Sequence, residues 1–331
     1  MIRITDKHNC CGCSACVQIC PKKCISFHED IYGFRYPQVD EHICINCGKC
    51  ETVCPVLNQT EPQLPISVYA AINPDEGVRA TSSSGGVFSA LAESIINQGG
   101  VVFGASFDDN WDVVHSCVAS NAEIVKLRGA KYVQSQIADN YLKVRDVLLS
   151  GRKVLFSGTP CQISGLKKFL QKDYDNLVTV SVVCHGVPSP LVWRSYISNV
   201  LLDTSDQVTE ICFRDKSAGW NNYNFIVKGV KRGAEAETVL VCEAFHLNLY
   251  MQLFLNNLSI RPSCFRCPAN DGKSRSDIVI ADYWGVDLIH PELFDNKGTS
   301  LVLVYSDKGI NYWDRLAVKK LNSTYEAAVN L

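Results

Sequence analysis

Residues 10–21, CCGCSACVQICP, and residues 44–55, CINCGKCETVCP, carry two copies of one cysteine pattern. In each copy three cysteines are two residues apart, and a fourth follows after three more residues, directly before a proline. The first residues of the chain lack the apolar segment of a secretory signal, so we expect a cytoplasmic protein whose 17 cysteines stay reduced. The dense spacing therefore points to metal binding rather than to disulfides.

The C-x2-C-x2-C-x3-C-P spacing is the one by which bacterial ferredoxins hold [4Fe-4S] clusters. Three thiolates of one loop bind one cluster, and the fourth cysteine, which we expect to open a helix, reaches the other cluster. The predicted ligand sets therefore cross. They are Cys10, Cys13, Cys16 and Cys54 for cluster 1, and Cys44, Cys47, Cys50 and Cys20 for cluster 2.

Two zinc sites are the alternative, but they would leave half of these eight cysteines without a role. Cys11 and Cys24 fall outside the pattern, and we interpret them as small buried packing residues. A short hairpin is predicted between the two runs. The ferredoxin-type module should then cover residues 1–58, with residues 59–66, which contain two prolines, as a linker.

Residues 67–331 alternate between apolar strand-like runs and amphipathic stretches, and residues 209–245 switch to strands. We expect an α+β protein in which a ferredoxin-like module precedes an α/β domain with a mixed sheet. The formal charge of -2 gives no support to nucleic-acid binding. No apolar run reaches the roughly 18 residues of a membrane span.

Residues 82–86, SSSGG, precede a predicted helix and could bind a phosphate at its positive end. The alternative is a serine N-cap followed by glycines that only turn the chain, and the local sequence does not decide between the two.

Four cysteines of the second domain lie on three loops, two of which follow predicted strands. Cys161 is expected at a helix N-terminus, where its pKa would be lowered, so it could be a nucleophile or a ligand. A third cluster, a zinc site and simple burial all remain open for the set. Three other cysteines in strand-like runs are interpreted as packing residues: Cys117, Cys212 and Cys242.

Several motifs, taken in order, resemble the beta subunit family of coenzyme F420 hydrogenase and dehydrogenase. They are residues 83–86 (SSGG), 129–135 (GAKYVQS), 158–162 (GTPCQ), 184–186 (CHG) and 264–285. The resemblance covers about residues 68–304. The chain ends at Leu331, earlier than in longer bacterial members, so a C-terminal element is expected to be missing.

The resemblance implies a flavoprotein oxidoreductase in which FAD exchanges hydride with a deazaflavin, coenzyme F420, or with a nicotinamide, and clusters pass single electrons to a partner protein. It implies FAD contacts from Ser83, Ser84, Gly85, Gly86, Lys131 and Thr159. It also implies that Cys161, Cys184, Cys264 and Cys267 hold a third [4Fe-4S] cluster. No catalytic residue is assigned. The alternative is a flavin-free electron carrier or adaptor, linked to surface-polysaccharide biosynthesis.

Overall fold

The computed structural model describes residues 1–200 and 207–329. Its N-terminal module is built from two short helices and a hairpin: α1 (Ala15–Ile19), β1 (Ile25–Glu29), β2 (Arg35–Val39) and α2 (Lys49–Thr52). The hairpin that the sequence predicts is confirmed, with Ile25 opposite Val39. One expectation is wrong, because Cys20 ends α1 instead of opening a helix.

The second part of the chain contains further helices and strands in alternation. The strands are β3 (Ser67–Ile72), β4 (Val101–Phe107), β5 (Val113–Val118), β6 (Val154–Gly158), β7 (Leu177–Val182), β8 (Gln207–Asp215), β9 (Asn224–Val230), β10 (Glu237–Ala244), β11 (Ile278–Asp282), β12 (Ser300–Val304) and β13 (Lys319–Ser323). The helices are α3 (Glu76–Ala80), α4 (Val87–Ile96), α5 (Ile124–Leu127), α6 (Asn140–Leu149), α7 (Pro160–Leu170), α8 (Pro190–Val200), α9 (Leu249–Leu255), α10 (Val286–Ile289), α11 (Asp307–Asp314) and α12 (Tyr325–Val329).

Eight strands form one mixed sheet in the order β13-β3-β12-β11-β7-β6-β4-β5. The central strands β11, β7, β6 and β4 are parallel, and antiparallel strands flank them on both sides. Strand β6 shows why such a strand is apolar throughout: Val154 and Phe156 pack into the core on one face, and Leu155 into the core on the other. The predicted mixed sheet is thus confirmed.

A second, three-stranded sheet in the order β10-β9-β8 packs beside the large one. Its core is aromatic, and Trp193, Phe213, Phe225 and Tyr250 are all buried there. Cys117 and Cys242 lie in strands as expected, but both are exposed, so their interpretation as packing residues is wrong.

The N-terminal module packs onto the face of the large sheet that carries α6 and α7. Ala15 and Val53 join the core cluster of that face. Gln18 of α1 accepts hydrogen bonds from the backbone amides of Tyr141 and Leu142, at 2.9 and 3.2 Å, and so caps the first turn of α6. No helix among the described residues has the length and apolar character needed to cross a membrane.

Candidate functional site

The first cysteine cavity opens beside α1. Its walls include all four cysteines of the first predicted ligand set: Cys10, Cys13, Cys16 and Cys54. Cys54 comes from the second sequence run and the other three from the first, so the structure brings together the crossed set. Cys11 also lines this cavity, which the spacing did not indicate.

The second cysteine cavity lies between α2 and the hairpin. Its walls include the other crossed set: Cys20, Cys44, Cys47 and Cys50. Cys24 lines it as well, with its Sγ 3.4 Å from that of Cys20. In both cavities the thiols surround a space instead of meeting at a point, which suits a cluster of several iron atoms better than a single zinc ion.

Both cysteine loops share a backbone conformation that explains how three thiols turn toward one cavity. The residues on either side of the middle cysteine have positive φ in each loop: Gly12 and Ser14 around Cys13, and Asn46 and Gly48 around Cys47. Left-handed residues wrap the backbone around the cavity and turn amides toward sulfur. The amide of Asn46 donates to Cys44 Sγ at 3.4 Å, and that of Ile2 to Cys50 Sγ at 3.2 Å.

The thiols of these cavities need cationic partners in order to ionise. Burial, followed by the nearby Cys10 and Cys54, raises the pKa of Cys16 well above its usual range. Burial likewise raises the pKa of Cys54. Buried thiolates this close together repel one another, and bound iron supplies the compensating charge. The residues present therefore fit the group that the sequence predicts.

The four cysteines of the second domain come together beside the first cavity. Cys161 is the second residue of α7, after β6, and Cys184 follows β7, so both lie at the carboxyl edge of adjacent parallel strands. Cys264 lies in a 3-10 turn over Pro262–Arg266, and Cys267 follows it. A bridge between Pro188 and Ile260 ties the Cys184 loop to the Cys264 loop.

The second-domain thiols also influence one another. Burial, followed by Cys161, raises the pKa of Cys264 to about 12. Burial raises the pKa of Cys184 further, with Cys161, Cys264 and Cys267 adding to it. We call these four residues the cysteine quartet.

Cys161 does not have the reactive environment that a helix N-terminus suggests. A hydrogen bond with the Cys11 thiol and burial raise its pKa well above the usual range. The expected lowering is therefore wrong, because a neighbouring thiol and desolvation outweigh the helix end. The contact with Cys11 also places the quartet next to the first cavity, and Gly165 of α7 lets the Cys13 loop approach, since an added Cβ would lie 3.0 Å from Cys13 Sγ.

The loop at residues 82–86 is held by hydrogen bonds and close packing against neighbouring strands. Ser84 Oγ donates to Thr299 O at 2.9 Å, and the amide of Gly85 donates to Ser300 Oγ at 3.0 Å. A Cβ on Gly85 would lie 2.4 Å from Ala71 O, so packing alone requires glycine here. The N-cap of α4 is Gly86 in a left-handed conformation, and no described side chain caps that helix, so the serine N-cap, one of the two alternatives for this loop, is not formed.

The second predicted cofactor loop lies against the first. Ser83 Oγ accepts a hydrogen bond from the amide of Ala130 at 2.7 Å, which joins residues 82–86 to residues 129–135. The Lys131 ammonium donates to Arg128 O and Gly129 O, and burial lowers its pKa to about 8. Thr159 caps α7 in a reciprocal pair with Gln162, and its Oγ1 lies 3.2 Å from Cys161 Sγ.

Two further cations complete this region, and the sequence motifs did not point to either. Lys216 donates to Ser84 O at 3.0 Å and to two other carbonyls, and burial lowers its pKa to about 8. The buried Arg214 pairs with Asp282 and interacts with the Tyr132 hydroxyl, but its Nε and Nη2 make no hydrogen bond of ordinary geometry with the described residues. Such unpaired buried donors can bind an anionic or carbonyl-bearing ligand.

Aromatic rings border the Arg214 side chain. Trp284 is half exposed and stacks on the buried Trp220, with ring centroids 4.6 Å apart and planes 7° apart. The Arg214 guanidinium lies 5.4 Å from the Trp284 ring centroid. We use the name cationic pocket for the group of four side chains Lys131, Arg214, Lys216 and Trp284. A positively charged region with an exposed ring suits a dinucleotide that carries both phosphates and an aromatic ring.

Comparisons with known proteins agree with these features. A 4Fe-4S dicluster domain matches residues 9–58. The N-terminal model of the coenzyme F420 hydrogenase/dehydrogenase beta subunit matches residues 68–140, and the C-terminal model matches residues 151–328, more than half of the chain. The protein is thus an iron-sulfur oxidoreductase. It belongs to the coenzyme F420 hydrogenase/dehydrogenase beta subunit family.

A solved structure shares the fold. It is the structure of the xenon-derivatized F420-reducing [NiFe] hydrogenase complex from Methanosarcina barkeri. The TM-score is 0.53 at 18% identity, with 80% of this chain and 84% of that chain covered. At this identity the likeness shows the fold alone. No curated protein matches the chain.

Proposed function

We propose that the protein is a cytoplasmic iron-sulfur flavoprotein that exchanges hydride between FAD and a deazaflavin, coenzyme F420, or a nicotinamide, and passes single electrons through [4Fe-4S] clusters to a partner protein. The observation that carries this proposal is the succession of three sites: the cationic pocket, the cysteine quartet and the two cysteine cavities. When bound, a flavin supplies the exchange between two-electron and one-electron chemistry.

The cationic pocket provides the flavin-binding groups. Arg214 offers two unpaired donors, Lys131 lies in the adjoining loop, and the uncapped N-terminus of α4 follows Gly86. These groups suit the pyrophosphate and the ring carbonyls of FAD. Ser84, Gly85 and Lys216 hold the loop in shape through their internal hydrogen bonds.

The cysteine quartet would hold the third cluster. A chain of ring contacts leads to it from the cationic pocket: Tyr132 stacks on Phe254 at 4.6 Å, and His185, beside Cys184, meets Phe254 edge-on at 5.0 Å. The charge of Arg214 also acts on the Tyr132 hydroxyl. Short packed distances of this kind favour electron transfer between the two sites.

The order of the clusters follows from the contacts. Cys11 and Cys13 of the first cavity adjoin Cys161 and α7, so cluster 1 would receive electrons from the quartet. Cluster 2 lies at the outer end, where Cys47 is exposed beside exposed Ile43 and Ile45. This apolar surface around an exposed cluster ligand is the proposed exit to a partner protein.

The test is iron, sulfide, zinc and flavin analysis of one anaerobically purified sample, with FAD offered during reconstitution. About twelve irons and one FAD per chain support the proposal, since each of three sites would hold four irons. The same sample should be reduced by reduced coenzyme F420 or by NAD(P)H. About eight irons without flavin, or failure to oxidise either donor, would refute the hydride chemistry.

One observation favours a flavin-free electron carrier as the second candidate. Ser82 Oγ donates to Val78 O and Ser84 Oγ to Thr299 O, so two hydroxyls of the candidate phosphate loop are already bonded within the protein. In that case the second domain would bind a partner and the clusters would be the only redox groups. Heat-denatured protein that releases no yellow, fluorescent flavin would favour this candidate.

A further inference from the structure

Arg261 is a fully buried arginine between the N-terminal module and the second domain, with 0% of its surface exposed. Its Nε donates to Cys10 O at 2.7 Å, and its Nη2 donates to Arg35 O at 3.0 Å. Its Nη1 donates to Gln134 Oε1 at 3.0 Å. One guanidinium thus joins the first cysteine loop, the hairpin and the loop of residues 129–135.

The charge of Arg261 has no anionic partner among the described residues. All three acceptors are neutral oxygens, and none of the ion pairs in the described chain includes this residue. Its other neighbours are the rings of Tyr36 at 4.2 Å and Phe34 at 5.4 Å, which partly compensate for the lost water. A buried charge without a counter-charge is costly, so such an arrangement calls for an explanation.

Arg261 is also surrounded by candidate cluster ligands. It bonds the backbone of Cys10 on one side, and on the other its own carbonyl accepts the amide of Cys264 at 2.9 Å. It therefore lies between the first cysteine cavity and the cysteine quartet. A [4Fe-4S] cluster held by four thiolates is a net anion, and one-electron reduction adds a further negative charge.

We propose that Arg261 is an electrostatic positioning residue that makes the cluster held by Cys10, Cys13, Cys16 and Cys54 easier to reduce. This inference rests on the cluster assignment of the proposed function. The reduction step adds one electron from a donor and moves no proton. The fixed positive charge stabilises the reduced, more negative state more than the oxidised state, because the protein around it is dry.

The first test uses an EPR-monitored anaerobic redox titration of the full chain with dithionite. Arg261→Gln should lower the equilibrium constant for reduction of this cluster at least about tenfold, which corresponds to about 59 mV for one electron. Arg261→Lys keeps the positive charge, so its cluster should have a reduction potential close to that of the parent protein. Equal potentials in Arg261→Gln and the parent would overturn the proposal, and so would a Lys variant that falls as far as Gln.

A second variant keeps the arginine in place. Gln134→Glu is nearly isosteric and puts a carboxylate against Arg261 Nη1, where it neutralises the positive charge. The substitution also removes the bond that Gln134 Nε2 donates to Cys11 O at 3.2 Å, and Gln134→Leu, which removes that bond without adding a charge, is the matched control. Like Arg261→Gln, Gln134→Glu should lower the equilibrium constant for reduction of the cluster. This variant therefore still tests the proposal if Arg261→Gln fails to fold. An unchanged or higher potential in Gln134→Glu would contradict an electrostatic role.

Two controls separate charge from damage. Arg79 is equally buried, but it pairs with Asp295 at 2.6 Å, so Arg79→Gln should leave the potential unchanged. Among the described residues, none that lines the second cysteine cavity accepts a hydrogen bond from the Arg261 guanidinium, so the cluster there should keep its potential in every variant. Iron analysis of the parent makes the two failures distinguishable: missing iron refutes the cluster assignment, whereas normal iron with unchanged potentials refutes only the role of Arg261.

Discussion

The N-terminal module and the cationic pocket are built in opposite ways. In the module every candidate ligand lies within 45 residues of sequence, and the spacing of the cysteines already groups them. In the pocket Lys131, Arg214 and Trp284 come from distant parts of the chain, and only the two sheets bring them together. A local site can be recognised from spacing, whereas an assembled site depends on the topology.

The largest expected effect concerns the crossed ligand sets. Cys20→Ala should cost the second cavity its cluster, about four irons, and leave the first cluster intact. Iron analysis with EPR measures this, and the exposed Cys117→Ala is the matched control. Loss of the first cluster instead would show that the sets do not cross.

Cys24 complicates that experiment in a useful way. Its thiol lies 3.4 Å from that of Cys20, so it could take over as a ligand. The double variant Cys20→Ala/Cys24→Ala removes this substitute. If the double variant retained both clusters in full, the assignment of cluster ligands from the cysteine spacing would be wrong.

A smaller effect is expected in the assembled site. Arg214→Gln removes the unpaired donors and should weaken FAD binding roughly 10- to 100-fold, about 1.4 to 2.8 kcal/mol. Fluorescence titration of flavin-stripped protein measures the dissociation constant. Asp282→Asn is the control for the broken ion pair, since it keeps the Arg214 donors. If Arg214→Gln and the parent bound FAD with equal affinity, the flavin would not bind at Arg214.

His115 should make the second domain sensitive to acid. Its ring contacts Ser157 O and Ser135 Oγ, and burial lowers its pKa to about 4, from 6.5, with Lys131 adding to the effect of burial. Between pH 6.5 and 4 the unfolded state binds more protons than the folded state, so stability falls as the pH falls. The total loss is about 3 kcal/mol.

Tryptophan fluorescence is a suitable probe for this pH dependence, because all five tryptophans lie after residue 67. His115→Gln should flatten the dependence of the unfolding midpoint between pH 6.5 and 4. His28→Gln, in the exposed hairpin, should leave it unchanged. A parent whose midpoint does not move over this range would contradict the prediction.

The smallest expected effect tests how the two regions are joined. Gln18→Ala removes the cap that the module places on α6 and should destabilise the second domain by about 1 kcal/mol. Thermal unfolding measured by tryptophan fluorescence and by cluster absorbance should then show two separated transitions. The exposed Gln98→Ala should not separate them, and coincident transitions in Gln18→Ala would mean that the cap does not couple the regions.

The fold could be predicted from the sequence because the apolar patterns of strands and helices are periodic and local. The apolar run over residues 101–107, which ends before Asp108 and Asp109, predicts a strand with the bounds that β4 has in the structure. Helix α6 begins at Asn140, and Gln18 from the other module bonds the free amides of its first turn. A partner more than 100 residues away leaves no local signal.

The same reasoning explains which site residues were missed. Lys131 and the cysteines stand in recognisable motifs, but Arg214, Lys216 and Arg261 are cations in otherwise ordinary surroundings. Their surroundings are carbonyl acceptors and aromatic rings from other elements of the fold. Examples are Ser84 O, which accepts a hydrogen bond from Lys216, and Cys10 O, which accepts one from Arg261. Thr159 stands in a motif and is the N-cap of α7, and its contact with FAD stays a prediction.

The segment that connects the two regions has a kinetic consequence. Residues 59–66 are bonded along the second domain, with Gln63 N donating to Asp271 O at 2.9 Å and Ile66 N to Val304 O at 2.7 Å. The two regions therefore do not have to find each other by diffusion, as separate carrier and enzyme would. On the proposed route, electron passage from the quartet to the first cavity should be first order, with a rate constant that dilution of the protein leaves unchanged.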